Sequence, residues 1–157
     1  MSMINDLLGW SGSFVIKSTN LKTGEVTEKT VKNRITNTAL QAIINILDNV
    51  DPDLDIKYLA IGTDNTPLND NDTQLGNEIF RTQFLTSNNS ATGQFTTTFA
   101  VLDNEAVGQW EEIGIFCGNS ATSTANTGTL LSRILFSRNK SNLEEIDISR
   151  IDTVTRA

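Results

Sequence analysis

Histidine is absent from the 157 residues, and the chain holds one cysteine, Cys117, two prolines and one tyrosine. Without histidine it lacks the usual neutral-pH general base, the Ser-His-Asp and Cys-His nucleophile systems, and nearly all zinc and haem ligation. One cysteine permits no disulfide within the chain, and at an apolar position of an alternating run it reads as a buried, inert thiol. Bases are also scarce: 12 Lys and Arg against 19 Asp and Glu leave a net charge of −7. A duplex, an RNA or an anionic membrane surface is therefore not expected as a partner, since each calls for a basic face. No apolar run approaches the roughly 18 residues of a membrane-spanning helix. Residues 1–12 carry no basic stretch and are short for a signal peptide, so secretion is not indicated. These absences point away from an enzyme. No catalytic residue, cofactor, metal ligand or small-molecule substrate is expected, and a structural or binding role is.

What is abundant is small and polar: 21 Thr, 17 Asn and 12 Ser. Threonine suits a half-exposed pleated surface, and asparagine and serine suit turns. Two alternating runs, 13–21 and 25–32, flank Lys22-Thr23-Gly24 and predict a hairpin. Further strands are predicted over 56–62, 79–86, 94–102, 109–117, 129–137 and 145–151, with 63–77, 87–93 and 119–128 as polar loops. In 56–62 the alternation sets Ile56, Tyr58 and Ala60 on one face. In 129–137 it sets Leu130, Ser132, Ile134 and Phe136 against Leu131, Arg133 and Leu135.

One helix is expected, over 38–48. Leu40, Ile43, Ile44 and Leu47 form a single apolar stripe, Thr38 with Gln41 fits a capping box, and Asp48 to Pro52 ends the helix. The expectation is a mainly β protein, an antiparallel β-sandwich with this helix laid over it by its stripe. Residues 13–157 make one domain, and residues 1–12 read as an N-terminal arm. Ile4, Leu7 and Leu8, with Trp10 beyond, form an apolar cluster that folds on its own core or docks on a neighbouring subunit.

Charge is unevenly placed. From Asp48 to Glu78 there are eight acids and one base, Lys57, while the remainder is close to neutral. Asp64, Asp70, Asn71 and Asp72 are hard oxygen donors, yet the loop lacks the glycine and glutamate offsets of an EF-hand and reads as a solvated turn-rich segment. Glu111-Glu112 and Glu144-Glu145 are adjacent on strands and so point to opposite faces, which suits solvated surfaces or subunit contacts rather than a glycosidase pair. Asp64, Asp70 and Asp72 are candidate interface residues, to be met by a basic patch drawn from Arg133, Arg138, Lys140, Arg150 and Arg156 of an oligomer.

Five segments recur in a familiar order: Ile35-Thr36-Asn37 before the helix, Tyr58-Leu59-Ala60-Ile61-Gly62-Thr63, Asp72-Thr73-Gln74-Leu75-Gly76-Asn77-Glu78, Glu112-Ile113-Gly114-Ile115-Phe116, and Gly128-Thr129-Leu130-Leu131-Ser132-Arg133. Together they resemble the tail-fibre and tail-collar family of bacteriophages and prophages, over about two thirds of the chain. The resemblance implies a virion protein, made in the cytoplasm of a bacterial host, that attaches fibres or baseplate parts to a tail. With no receptor-binding extension after Ala157 and an added hairpin at 13–32, it looks more like an adaptor, collar or baseplate subunit than a fibre. Its partners would be copies of itself, in a ring or trimer, and other phage tail proteins. Gly62, Gly76 and Gly114 are expected to serve turn geometry, with a bulge or close backbone approach the alternative for Gly114 inside its strand. The rival expectation is a carbohydrate-binding β-sandwich for host recognition, with Trp10, Trp110 and Tyr58 stacking on sugar.

Overall fold

The computed structural model describes residues 8–50 and 54–156. Two antiparallel five-stranded sheets face one another, with one helix at their side. In chain order the elements are β1 (Leu8–Asn20), β2 (Val26–Lys32), β3 (Arg34–Ile35), α1 (Asn37–Leu47), β4 (Ile56–Gly62), β5 (Glu78–Gln83), β6 (Thr86–Ala91), β7 (Gln94–Val101), β8 (Gly108–Cys117), β9 (Thr129–Lys140) and β10 (Glu144–Arg156). The first sheet runs β2-β1-β10-β7-β6 and the second β3-β9-β8-β4-β5. Among the described residues this is the expected mainly β, sandwich-like architecture with a single helix.

The core lies between the inner faces. Phe14, Ile16, Phe99, Val101, Ile146 and Ile148 of the first sheet meet Leu59, Ile61, Trp110, Ile113, Ile115, Leu131, Ile134 and Phe136 of the second. Cys117 is buried among them. The hairpin at 13–32 forms as the pattern predicts. Asn20 Oδ1 accepts the Lys22 and Thr23 amides at 2.9 and 3.0 Å, and Gly24 takes φ +75°, open to glycine at no steric cost. The first strand starts earlier than expected. Residues 8–12 continue β1, paired with Arg156–Asp152, instead of standing off as an arm. Residues 87–93, expected as a loop, carry most of β6 and the Thr92-Gly93 turn into β7.

The second sheet has four register shifts, three of which overturn the strict alternation expected of β4, β8 and β9. A bulge at Lys57 turns Ile56 inward, whereas Tyr58 and Ala60 point outward. Leu131 is the extra residue opposite Ile115-Phe116, so Leu130 faces out and Leu131 faces the core. A third shift between Trp110 and Glu112 brings both Trp110 and Ile113 inside. One inserted residue reverses every side chain beyond it, which a period-two reading cannot anticipate.

Helix α1 also departs from its pattern. Its N-cap is Thr36, not Thr38: Thr36 Oγ1 accepts the Ala39 amide at 3.2 Å and donates to the Leu130 carbonyl at 2.5 Å. The Thr36 amide donates to the Leu131 carbonyl at 3.0 Å, fastening the helix start to the edge of β9. The buried residues are Ala39 and Ala42, whose small side chains let the helix backbone approach the sheet. Leu40, Ile44 and Leu47 of the predicted inward stripe are exposed instead.

Candidate functional site

The outward face of the second sheet is apolar at its centre. Tyr58, Ala60, Phe116 and Leu130 form a second cluster there with Leu75, which descends from the 63–77 segment. Two long polar loops cover this face, and each is held by a buried arginine.

The first latch is centred on Glu112, which reaches no solvent. Its Oε1 accepts the Asp64 and Asn77 amides at 3.3 and 3.0 Å, and its Oε2 accepts the Gly76 amide at 3.1 Å. Arg133 Nε donates to Glu112 Oε2 at 2.6 Å. The rest of the guanidinium turns to the loop: Nη1 donates to the Thr66 carbonyl at 3.0 Å and to Asp72 Oδ2 at 3.3 Å, and Nη2 to the Asp64 carbonyl at 3.3 Å. A carboxylate with three backbone donors beside an arginine with carbonyl and carboxylate acceptors meets the main cost of burying charge. Glu112 and Arg133 come from neighbouring strands, where the β8–β9 pairing puts Gly114 opposite Arg133 and Glu112 opposite Leu135.

Gly62, Gly76 and Gly114 make room for this centre, and none of the three has a positive φ. A Cβ at Gly62 would stand 2.7 Å from the Asn77 carbonyl and 2.8 Å from the Glu112 carboxyl carbon. A Cβ at Gly76 would strike the Asp64 side chain, and one at Gly114 would lie 2.7 Å from Leu75. Close approach demands glycine at these positions, in place of the turn geometry expected of Gly62 and Gly76 and in keeping with the alternative for Gly114.

The second latch is Arg81. It forms a fork on Glu78, Nε to Oε2 at 2.8 Å and Nη2 to Oε1 at 2.7 Å, while Nη1 donates to the Thr122 and Thr127 carbonyls at 2.8 and 3.1 Å. Its guanidinium lies over the rings of Phe116 and Tyr58, 4.6 and 5.3 Å from their centroids. The 118–128 loop is thereby tied down as the 63–77 loop is.

The expected interface acids fall within this framework. Asp64 and Asp72 turn towards Arg133, and Asp70 pairs with Arg34 at 3.1 Å. Hydrogen bonds from Thr66 hold the Asp64 carboxyl below its usual range. A cavity of about 270 Å³ remains between Arg133 and the loop. Among the described residues, no three His, Cys, Asp or Glu side chains cluster as metal ligands.

The supposed basic patch is not present on the surface. Arg133, Lys140 and Arg150 are buried, and Arg138 pairs with Glu144 at 2.5 Å. Arg150 donates to Ser132 and forms a fork on Asp152 at 3.0 and 2.7 Å. The Lys140 ammonium donates to the Leu102, Asp103 and Ser141 carbonyls, and burial pushes its pKa down. Arg138 keeps Glu144 ionised to lower pH than an ordinary glutamate, with help from Ser18. Glu112 and Glu144, expected on solvated faces or at subunit contacts, are buried partners of arginines in their own chain.

Of the apolar interface candidates, Ile4 and Leu7 lie outside the described residues, and Leu8 opens β1 opposite Arg156. Trp10 is half-buried, its Nε1 donating to Asp152 Oδ1 at 3.0 Å. It lines a separate cavity of about 420 Å³ at one end of the sandwich, with Ile43, Phe84, Phe95 and Val154. Trp110 is fully buried, its Nε1 donating to the Ala106 carbonyl at 2.6 Å, and Tyr58 is covered by Arg81. Neither ring offers a face on which a sugar could stack. Arg81 and Asp152 are missed in the sequence, and Glu78 and Glu112 are named there without their buried roles. The signal for Glu112 is an acid doublet, Glu111-Glu112, set in a strand whose other residues from Trp110 to Cys117 are apolar or glycine. No protein-family model, curated protein or solved structure matches the chain.

Proposed function

We propose that this chain is a structural protein of a bacteriophage tail, an adaptor, collar or baseplate subunit that holds neighbouring tail proteins through protein–protein contacts. The observation that carries the reading is the ordered set of five segments resembling the tail-fibre and tail-collar family. Their arrangement in space supports it. Gly62 leaves room for Glu112, Gly76 and Asn77 donate to it, and Gly114 admits Leu75. Arg133 closes the centre, and Asn37 donates from its amide to the Asp70 carbonyl of the same loop at 2.8 Å. The five segments thus make one assembled unit, and their charged groups serve the fold rather than a reaction.

Immunogold labelling tests the proposal, using antibody to this chain and particles purified from cells that carry its gene. Label on the tail is expected, and deletion of the gene is expected to leave tails without the parts it attaches. Particles that never contain the chain overturn the reading.

A further inference from the structure

The core does not fill the end of the sandwich beside α1. The cavity of about 420 Å³ lies there between the two sheets, walled by Trp10, Ile43, Ile56, Phe84, Phe95 and Leu131. Its size falls within the range of small-molecule sites, about 300–1,000 Å³, which are apolar with a few placed polar groups.

Strand register shows which polar groups face into it. Arg150 points between the sheets, since it donates to Ser132 of the opposite one, and Thr97 of β7 stands directly across from it. Paired residues of neighbouring strands project to the same face, so Thr97 points inward as well. It lines the cavity, is fully buried, and its Oγ1 has no hydrogen-bond partner among the described residues. A buried hydroxyl without a partner is costly, and a valine of the same shape would spare that cost.

The charged residues that line the cavity are Asp55, Lys57 and Asp152. Asp152 takes the fork from Arg150 and the Trp10 indole N–H, and Lys57 pairs with Asp55 at the rim at 2.5 Å. Each charge thus has its counter-charge within the chain, and an ionic ligand would enter unmatched. The same bonds hold the Trp10 wall in place before anything binds, which lowers the cost of binding. A sugar, polar all round, would give up most of its hydrogen bonds to water here.

We infer that this cavity is a binding site for a neutral, largely apolar small molecule bearing one hydroxyl or carbonyl, which Thr97 Oγ1 meets. The site goes beyond the tail reading and does not rest on it. Particles that lack the chain leave the cavity test unaffected, and an empty cavity leaves the tail reading standing.

Proton–nitrogen correlation spectra of the full chain, titrated with para-ethylphenol at about pH 7, where a phenol is neutral, test it. The chain has two tryptophans, so their indole N–H signals separate the cavity from the core. The Trp10 signal is expected to shift with a dissociation constant below about 1 mM, and that of the fully buried Trp110 to stay. Thr97→Val is expected to weaken para-ethylphenol about fivefold and to leave ethylbenzene, which has no hydroxyl, unchanged. The same variant is expected to melt about 2–4 °C higher, because no hydroxyl is then stranded. The anion para-ethylbenzoate is expected to bind at least about tenfold more weakly. Val154→Trp, at the exposed rim, is expected to fill the cavity and abolish binding with the fold kept, and it serves equally if Thr97→Val does not fold. A Trp10 signal unmoved by para-ethylphenol up to about 5 mM overturns the inference, the cavity then holding water alone. Binding that survives Val154→Trp, that Thr97→Val leaves undiminished, or that para-ethylbenzoate matches overturns it as well.

Discussion

The acidic 63–77 loop and helix α1 exchange the places their sequences suggest. The loop, rich in Asp and Asn, reads as a solvated surface, yet Leu75 descends from it into a buried cluster and its backbone closes around Glu112 and Arg133. The helix, with a clean apolar stripe, reads as inward-facing, yet its buried residues are two alanines and Leu40, Ile44 and Leu47 of the stripe stay outside. Hydrophobicity decides burial only where geometry allows approach. Thr36 is bonded to the β9 backbone, and this fixes the rotation of α1 before its leucines can choose a side.

The sharpest way to break this contrast is at Glu112. Glu112→Ala leaves the Arg133 guanidinium buried without its partner and orphans three amides, and an expected loss of about 3–5 kcal/mol is read by urea unfolding. Limited proteolysis should then cut within 63–77. Smaller effects follow from filling space that each region keeps empty. Gly62→Ala on the loop side and Ala42→Leu on the helix side each cost about 1–3 kcal/mol through overpacking, checked by the same titration.

Acid offers a third test. Asp64 and Glu144 both have folded pKa values below their ordinary ones. Their contribution is fully present above about pH 4.3 and is lost as pH falls through the lowered values, because the unfolded chain takes up protons first. Melting temperature followed downward from about pH 6, well above that window, should fall less in Glu144→Gln than in the wild type. The smallest effect belongs to the exposed stripe: Leu47→Gln should change unfolding free energy by no more than about 0.5 kcal/mol. A loss of several kcal/mol would mean the helix packs by its leucines after all.

Much of the fold was legible because strands with one buried face alternate. The pattern Phe95, Thr97, Phe99, Val101 in β7 and the turn at Lys22-Thr23-Gly24 carry their structure locally. What was not legible depends on partners distant in the chain. The bulges at Lys57 and Leu131 are visible only once neighbouring strands are paired. β6 is a run of Thr, Ser and Asn with little intrinsic strand character, recruited by its pairing with β7. At the candidate site the motif glycines were visible, but their reason was not. It lies in Glu112 of β8 and Asp64, Leu75 and Asn77 of the 63–77 loop closing on the same centre.

The seat of β10 in the middle of its sheet has a consequence for synthesis. Its neighbours β1 and β7 are made long before it, and residues Leu8 and Arg156 at its far end are partners across nearly the whole sequence. Until that strand leaves the ribosome, the β1–β2 and β6–β7 hairpins share no edge, and Phe14 and Phe99 have no Ile148 between their strands. Folding of this protein is therefore a late event, completed only after translation of β10, and slow in the way that distant strand pairing imposes.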